Sequence, residues 1–232
     1  MSHGMSDQAA LPLSGDGFRR WMRRVLGQPA ALPVVDAGSG TPVLRRSSGL
    51  REFWKAIEAP SGLRILDLGS ASQANVNFIT GLHHKLYTED LVRALLLSAP
   101  GSKEAEQAQR EVEEFFRENL NYPEGEFDGI LCWDLFDFLA DPLVKPLVER
   151  LQSFLKPGGT VLSFFHTATP GQEVALFQYL IRGEDSLQLI GRGSGKVIRH
   201  FNNRSIENLF RSFASIKFYL ARDNLREVIS VR

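Results

Sequence analysis

Apolar positions along this chain recur in two periods, and the two periods alternate. Ser48 is placed to cap a helix whose Leu50, Phe53, Trp54 and Ile57 form one apolar stripe. Leu63-Arg-Ile-Leu-Asp-Leu-Gly69 then reads as a short buried strand stopped by glycine. A helix over Ala74–Leu82 and a strand over His84–Thr88 follow. Lys103–Asn119 carries Ala105, Ala108, Val112, Phe115 and Phe116 mostly at steps of three and four, so it reads as a long helix. Phe127-Asp-Gly-Ile-Leu-Cys-Trp133 is another buried strand. A helix over Asp141–Leu155 stops at Lys156-Pro-Gly-Gly159, and Thr160–Phe165 is the next strand. Ser205 is expected to cap a last helix bearing Ile206, Leu209, Phe210 and Phe213. Ile216–Leu220 and Arg226–Val231 then pair through Arg222-Asp-Asn224 as a hairpin.

Strands alternating with helices predict a parallel sheet covered on both faces. The expected fold is an α/β three-layer sandwich with a mostly parallel sheet and a C-terminal antiparallel hairpin. The sheet has seven strands, or six, because the stretch between Leu91 and Phe127 shows one helix and no clear strand. Ahead of it, residues 1–16 read as a disordered leader. Phe18–Leu26 is a short basic amphipathic segment with Arg19, Arg20, Arg23 and Arg24, either a solvated helix or a contact for a membrane surface, RNA or an acidic partner. Gln28–Thr41 is an irregular arm rich in Pro, Gly and Ala. The expected division is an arm over residues 1–45 and one domain over 46–232.

Lys plus Arg and Asp plus Glu number 27 each, so the chain has no built-in attraction to a polyanion, which argues against nucleic acid as the main partner. A single cysteine, Cys132, rules out an intramolecular disulfide and argues against a thiolate metal site. No metal is expected, and cytoplasmic location fits. No run approaches the roughly 20 apolar residues of a membrane span.

In a sheet of this kind ligands sit at the carboxyl ends of the strands. The first strand of the domain ends Asp67-Leu-Gly69-Ser-Ala71-Ser-Gln73, where Gly69 permits a sharp turn and close backbone approach. The helix start after it offers free N–H groups to an anion. Glu89, with Asp90 beside it, ends the second strand, where a carboxylate can accept hydrogen bonds from ribose hydroxyls. The same acids also suit a helix N-terminus.

An acid two before glycine, an acid at the second strand end, a Phe-Asp strand (Phe127-Asp128) and Leu155-Lys-Pro-Gly-Gly159 occur here in the order found in class I S-adenosylmethionine-dependent methyltransferases. From about Leu50 to Arg232 the chain resembles that family. The resemblance implies S-adenosyl-L-methionine as cofactor and methyl transfer as activity. It places Gly69, Ser70 and Ala71 under the methionine part, with Asp67 orienting the loop. It assigns the ribose to Glu89 or Asp90 and the adenine side to Asn119 or Leu120. Trp133 and Asp134 would face cofactor and substrate. The chain departs from the family's glycine-rich loop at Ala71 and at Gln73, and Gln73 either lines the site or obstructs it. Trp133-Asp-Leu-Phe136 stands where adenine-methylating members carry Asn/Asp-Pro-Pro-Tyr/Phe, which disfavours base methylation by that chemistry and leaves oxygen, nitrogen or carbon acceptors on small molecules or on other macromolecular targets, with a small molecule expected.

Other residues admit two readings. His166, past the fifth strand, is a base for an acceptor proton or an ordinary surface histidine. Trp133 and Cys132 also suit the core. The basic, glycine-containing stretch Arg192–Arg204 is an anion-gripping loop or merely a mobile one. A non-catalytic methyltransferase-like binding or scaffold domain is the alternative function, and it turns on whether a cavity exists beside Gly69. Nicotinamide binding needs Gly-x-Gly-x-x-Gly, of which only Gly69 is present.

Overall fold

The computed structural model describes residues 42–59, 61–91, 113–117, 120–139, 141–221, 223 and 225–232. The basic segment at Arg19–Arg24, the arm before residue 42, most of the expected helix over 103–119, Asn119 and two residues of the 222–224 turn lie outside them. Residues 113–117 are helical, as the stripe predicts.

In chain order the elements are β1 (Val43–Arg46), α1 (Ser48–Ala56), β2 (Arg64–Asp67), α2 (Gln73–Gly81), β3 (Lys85–Thr88), β4 (Phe127–Trp133), a 3-10 turn (Leu135–Phe138), α3 (Asp141–Phe154), β5 (Leu155–His166), β6 (Glu173–Gly183), β7 (Ser186–Lys196), α4 (Asn203–Leu209), β8 (Ser215–Leu220) and β9 (Leu225–Val231). The main sheet has six strands among the described residues, in the order β3-β2-β4-β5-β9-β8. Its first four strands are parallel, and β9 runs antiparallel to both β5 and β8. This is the expected three-layer α/β architecture in its six-stranded form.

Alternation along the central strands divides two cores. Ile130 and Cys132 of β4 and Val161 and Phe165 of β5 face α3, α4 and Phe115–Phe116. Leu131, Trp133, Leu162 and Phe164 face α1, α2 and the β6–β7 hairpin. Cys132 is fully buried in the first core, and burial pushes its thiol pKa far up, so it is an inert core residue.

Four local expectations are corrected. Ser47, not Ser48, caps α1, its Oγ accepting from the Leu50 N–H at 3.0 Å. Asn202, not Ser205, caps α4, and Ser205 sits in the first turn. The strand expected at Thr160–Phe165 extends over Leu155–His166, and Lys156-Pro-Gly-Gly159 survives within it as a bulge, with Gly158 at φ +80°. Arg192–Arg204 is not a loop throughout: residues as far as Lys196 belong to β7. The β6–β7 hairpin, missing from the sequence reading, joins β1 in a second, antiparallel sheet of order β1-β7-β6. Glycines 191, 193 and 195 interrupt its apolar alternation and hide the strand.

Two of the family-like motifs meet at the end of the sheet away from the ligand edge. Lys156 Nζ lies 2.7 and 2.8 Å from the two Asp128 carboxylate oxygens, and Asp128 also accepts from the Arg64 N–H at 2.8 Å. Their role is to join β2, β4 and β5. On the opposite side Glu227 of β9, 1 % exposed, accepts hydrogen bonds from Arg45, Ser47 and the Gly49 N–H, which ties β1 and α1 to the sheet.

Gly129 tests this packing, because a Cβ there would collide with the Phe53 ring and come within 2.8 Å of Ile57 Cδ1 on α1. Gly129→Ala is expected to destabilise the domain by about 1–3 kcal/mol. A urea unfolding midpoint equal to wild type would contradict the close seating of α1.

Candidate functional site

The carboxyl ends of β2, β3 and β4 bring together most of the residues singled out from the sequence. Asp67 ends β2 fully buried. Its Oδ1 accepts from the Gly69 N–H at 2.9 Å and from Trp133 Nε1 at 2.6 Å, and its Oδ2 accepts from Asn75 Nδ2 at 2.9 Å. Burial raises the Asp67 pKa, and those three donors partly offset the rise. Gly69 has to be glycine here: a Cβ would lie 2.7 Å from Trp133 Cδ1 and 3.2 Å from Asp67 Oδ1. Ser70 and Ala71 continue the turn into α2, capped by Ser72, whose Oγ accepts from the Asn75 N–H. Gln73, a suspected obstruction, is exposed and bonds Asn77 along the helix at 2.7 Å. It neither lines nor blocks the site.

Glu89 follows β3 and accepts a short hydrogen bond from the Tyr122 hydroxyl. Asp90 is exposed, with Ser70 Oγ at 3.5 Å. Leu120 lies in the core: it is fully buried in the cluster with Phe115 and Phe116, and its carbonyl accepts from Arg150 at 2.7 Å. It is not brought to the strand ends.

Trp133 and Asp134 end β4. Trp133 holds φ 50°, a left-handed conformation that a bulky residue rarely adopts. Its ring stacks on Tyr179 of β6 at 5.0 Å with 5° between the planes. The Tyr179 hydroxyl donates to Asp134 Oδ2 at 2.9 Å. The 3-10 turn after β4 supplies Asp137, fully buried, whose Oδ2 accepts the His166 N–H at 2.6 Å and lies 2.9 Å from His166 Nδ1. Burial disfavours the His166 cation, yet Asp137 and the Asp134 charge raise its pKa above the ordinary value. Asp137, Tyr179, Gln178 and Asn75 escape a reading from sequence. The one local signal is a second acid three residues after Asp134.

The space beside Gly69 is small. Gly69, Ser70, Trp133, Asp134, Phe177 and Tyr179, with Gln178, enclose about 20 Å³. That holds about one water molecule, against the roughly 300 Å³ or more of a small-molecule pocket. Among the described residues, the groups as arranged around Gly69 do not fit a nucleoside-linked methionine.

Asp134 is fully buried, and burial pushes its pKa up to about 6 despite the opposing charge of His166. A raised carboxylate pKa means that the folded state holds a proton the unfolded chain has lost, from the ordinary value of 3.8 up to about 6. Its contribution therefore falls as pH rises through that window. Between pH 4 and 7 wild type is expected to lose on the order of 2–3 kcal/mol more stability than Asp134→Asn. Parallel stability profiles in denaturant titrations would contradict an Asp134 buried against Tyr179.

The family model described as a methyltransferase domain matches residues 19–213. No curated protein matches the chain. Among solved structures it is similar to a 1,6-didemethyltoxoflavin-N1-methyltransferase from Burkholderia thailandensis, at 12% identity over 80% of this chain and 79% of that one, TM-score 0.43. It is similar to S-adenosylmethionine-dependent methyltransferases from Mesorhizobium loti (14% identity, 80% and 98% covered, TM-score 0.44) and from Clostridium acetobutylicum (15%, 81% and 92%, 0.44). At such scores these likenesses carry no argument, and the family match does. This chain belongs to the methyltransferase domain family, whose enzymes take their methyl group from S-adenosylmethionine.

Proposed function

We propose that the protein transfers a methyl group from S-adenosylmethionine to a small-molecule acceptor at the carboxyl edge of β2, β3 and β4. The observation that carries this reading is the convergence of Asp67, Gly69, Glu89 and Asp134 at that edge in a member of the family. Gly69, Ser70 and Ala71 are assigned to the methionine end of the donor, with Asp67 orienting the turn, and Glu89 with Asp90 to its ribose. Methyltransferases of this kind need alignment and exclusion of water more than a shared catalytic group.

On the acceptor side His166 is the proposed proton acceptor. Its Nδ1 is committed to Asp137, so Nε2 is the nitrogen left for exchange, and the ring is held at the end of β5 beside Asp134. Asp137 acts only through His166 and is a positioning residue. No helix among the described residues is long and apolar enough to cross a membrane. The single thiol, buried at Cys132, suits a reducing compartment, and we place the protein in the cytoplasm. A second reading, a non-catalytic binding or scaffold domain, is favoured by one observation, the 20 Å³ left beside Gly69.

Incubation of the protein and a cell extract with methyl-labelled S-adenosylmethionine tests the proposal. Label is expected in a new small-molecule species separable from the donor, absent with Glu89→Ala. With the acceptor in hand, His166→Ala is expected to lower kcat by about 10²-fold or more with KM little changed. Label confined to the macromolecular fraction would contradict a small-molecule acceptor, and no label anywhere would favour the scaffold reading.

A further inference from the structure

Among the described residues, the acceptor groups assigned to the methyl donor are each bonded by a hydrogen-bond donor from within the chain. The Asp67 carboxylate is taken by Trp133, Asn75 and the Gly69 N–H. The carbonyls of Ser70 and Ala71 are taken by Gln178 Nε2 at 3.4 and 3.2 Å. Glu89 is taken by the Tyr122 hydroxyl, and Asp134 by the Tyr179 hydroxyl. The internal groups imitate the ligand's chemistry. A carboxamide N–H at two turn carbonyls stands where an ammonium would donate, and a phenol at Glu89 stands where a ribose hydroxyl would.

Two of these substitutes come from one piece of chain. Gln178 and Tyr179 are neighbours on β6, the outer strand of its sheet. β6 lies against α2 without a strand partner there, and Asn75 bonds it directly. Asn75 Nδ2 donates to the Tyr179 carbonyl at 3.1 Å, and its Oδ1 accepts the Ile181 N–H at 2.8 Å. Gln178 is in turn held from β7 by Arg192. The Trp133 ring is clamped between the Gly69 backbone and Tyr179, in a backbone conformation that stores strain. Short tethers, residues 167–172 and 197–202, join the hairpin to the rest, with Gly171 at φ +82° in the first.

We propose that the Gln178–Tyr179 edge of the β6–β7 hairpin is a built-in plug of the methyl-donor site, seated on Trp133, and that the donor enters only when that edge withdraws. The inference rests on the donor site proposed above. It reconciles a family member that carries the anchoring residues with a cavity too small for the ligand. Ile181, Leu187 and Leu189 anchor the hairpin in the core beside α1 and Leu131, whereas the bonds made by Gln178 and by the Tyr179 hydroxyl are polar, so a polar ligand and water can replace those as that edge moves. An apolar seat would offer no such exchange.

The test is calorimetric titration of the full chain with S-adenosylhomocysteine, on wild type, Gln178→Ala and Tyr179→Phe, with unfolding midpoints confirming that each variant folds. Gln178→Ala frees the turn carbonyls. Tyr179→Phe keeps the stack on Trp133 and removes only the hydroxyl. Each variant is expected to bind at least tenfold tighter than wild type. The wild-type association rate, read by stopped flow, is expected to level off with ligand concentration because plug withdrawal limits it. Equal affinity in all three proteins would overturn the plug and leave the donor site standing. No binding to any of them, including the loosened variants, would overturn both.

Discussion

The buried carboxylate of Asp67 is the constraint from which the site follows. An ionised group removed from water is tolerated only when its lone pairs are filled. Here the filling is shared among three separate parts of the chain: the turn at Gly69, Asn75 on α2 and Trp133 at the end of β4. Asn75 passes the connection on to β6 through Tyr179 and Ile181. One short side chain thus sets the turn, the helix start, the strand end and the seat of the hairpin. Removing it would take the acceptor from Trp133 Nε1 and one of the two acceptors of the Asn75 amide in a dry interior.

Around that carboxylate the fold separates structural acids from site acids. Asp128 and Lys156 stitch β4 to β5 at the far end of the sheet, and Glu227 with Arg45 and Gly49 anchors β1 and α1 along its flank. Asp134 and Asp137 instead cluster with Tyr179 and His166 at the carboxyl edge, where burial and mutual charge displace their titration. Displaced titration at a strand end beside the glycine turn is the usual mark of a working site. The same edge is nearly without free volume, because its polar groups are paired with one another rather than with a ligand.

What could be read from the sequence was local. The apolar run ending at Gly69, the strand over Phe127–Trp133, the amphipathic α3 and the closing hairpin each carry their signal within a dozen residues, and each stands in the structure. Asp67, Gly69 and Glu89 were legible because strand-end acids and turn glycines sit at fixed places in such a sheet. The plug was not. Its contacts join residues 104 to 108 positions apart, from Asn75 to Tyr179 and from Ser70 to Gln178. β7 reads as a basic, glycine-broken stretch that pairing alone makes a strand. Gln73, the glutamine next to the turn in sequence, bonds along α2, whereas the glutamine bonded to the turn carbonyls is Gln178. Trp133 reads both as a core aromatic and as a strand-end residue, and the structure buries its ring in the second core against the Gly69 turn.

Hydrogen exchange on the unmodified protein, with and without saturating S-adenosylhomocysteine, addresses the plugged site most directly. Amides of β6 from Phe177 to Ile181, protected in the free protein by β7 and Asn75, are expected to exchange faster when the ligand is bound, while those of the turn at Gly69 slow. Slower exchange at the Gly69 turn with β6 unchanged or more protected would show the ligand entering beneath a seated hairpin, and would contradict the plug.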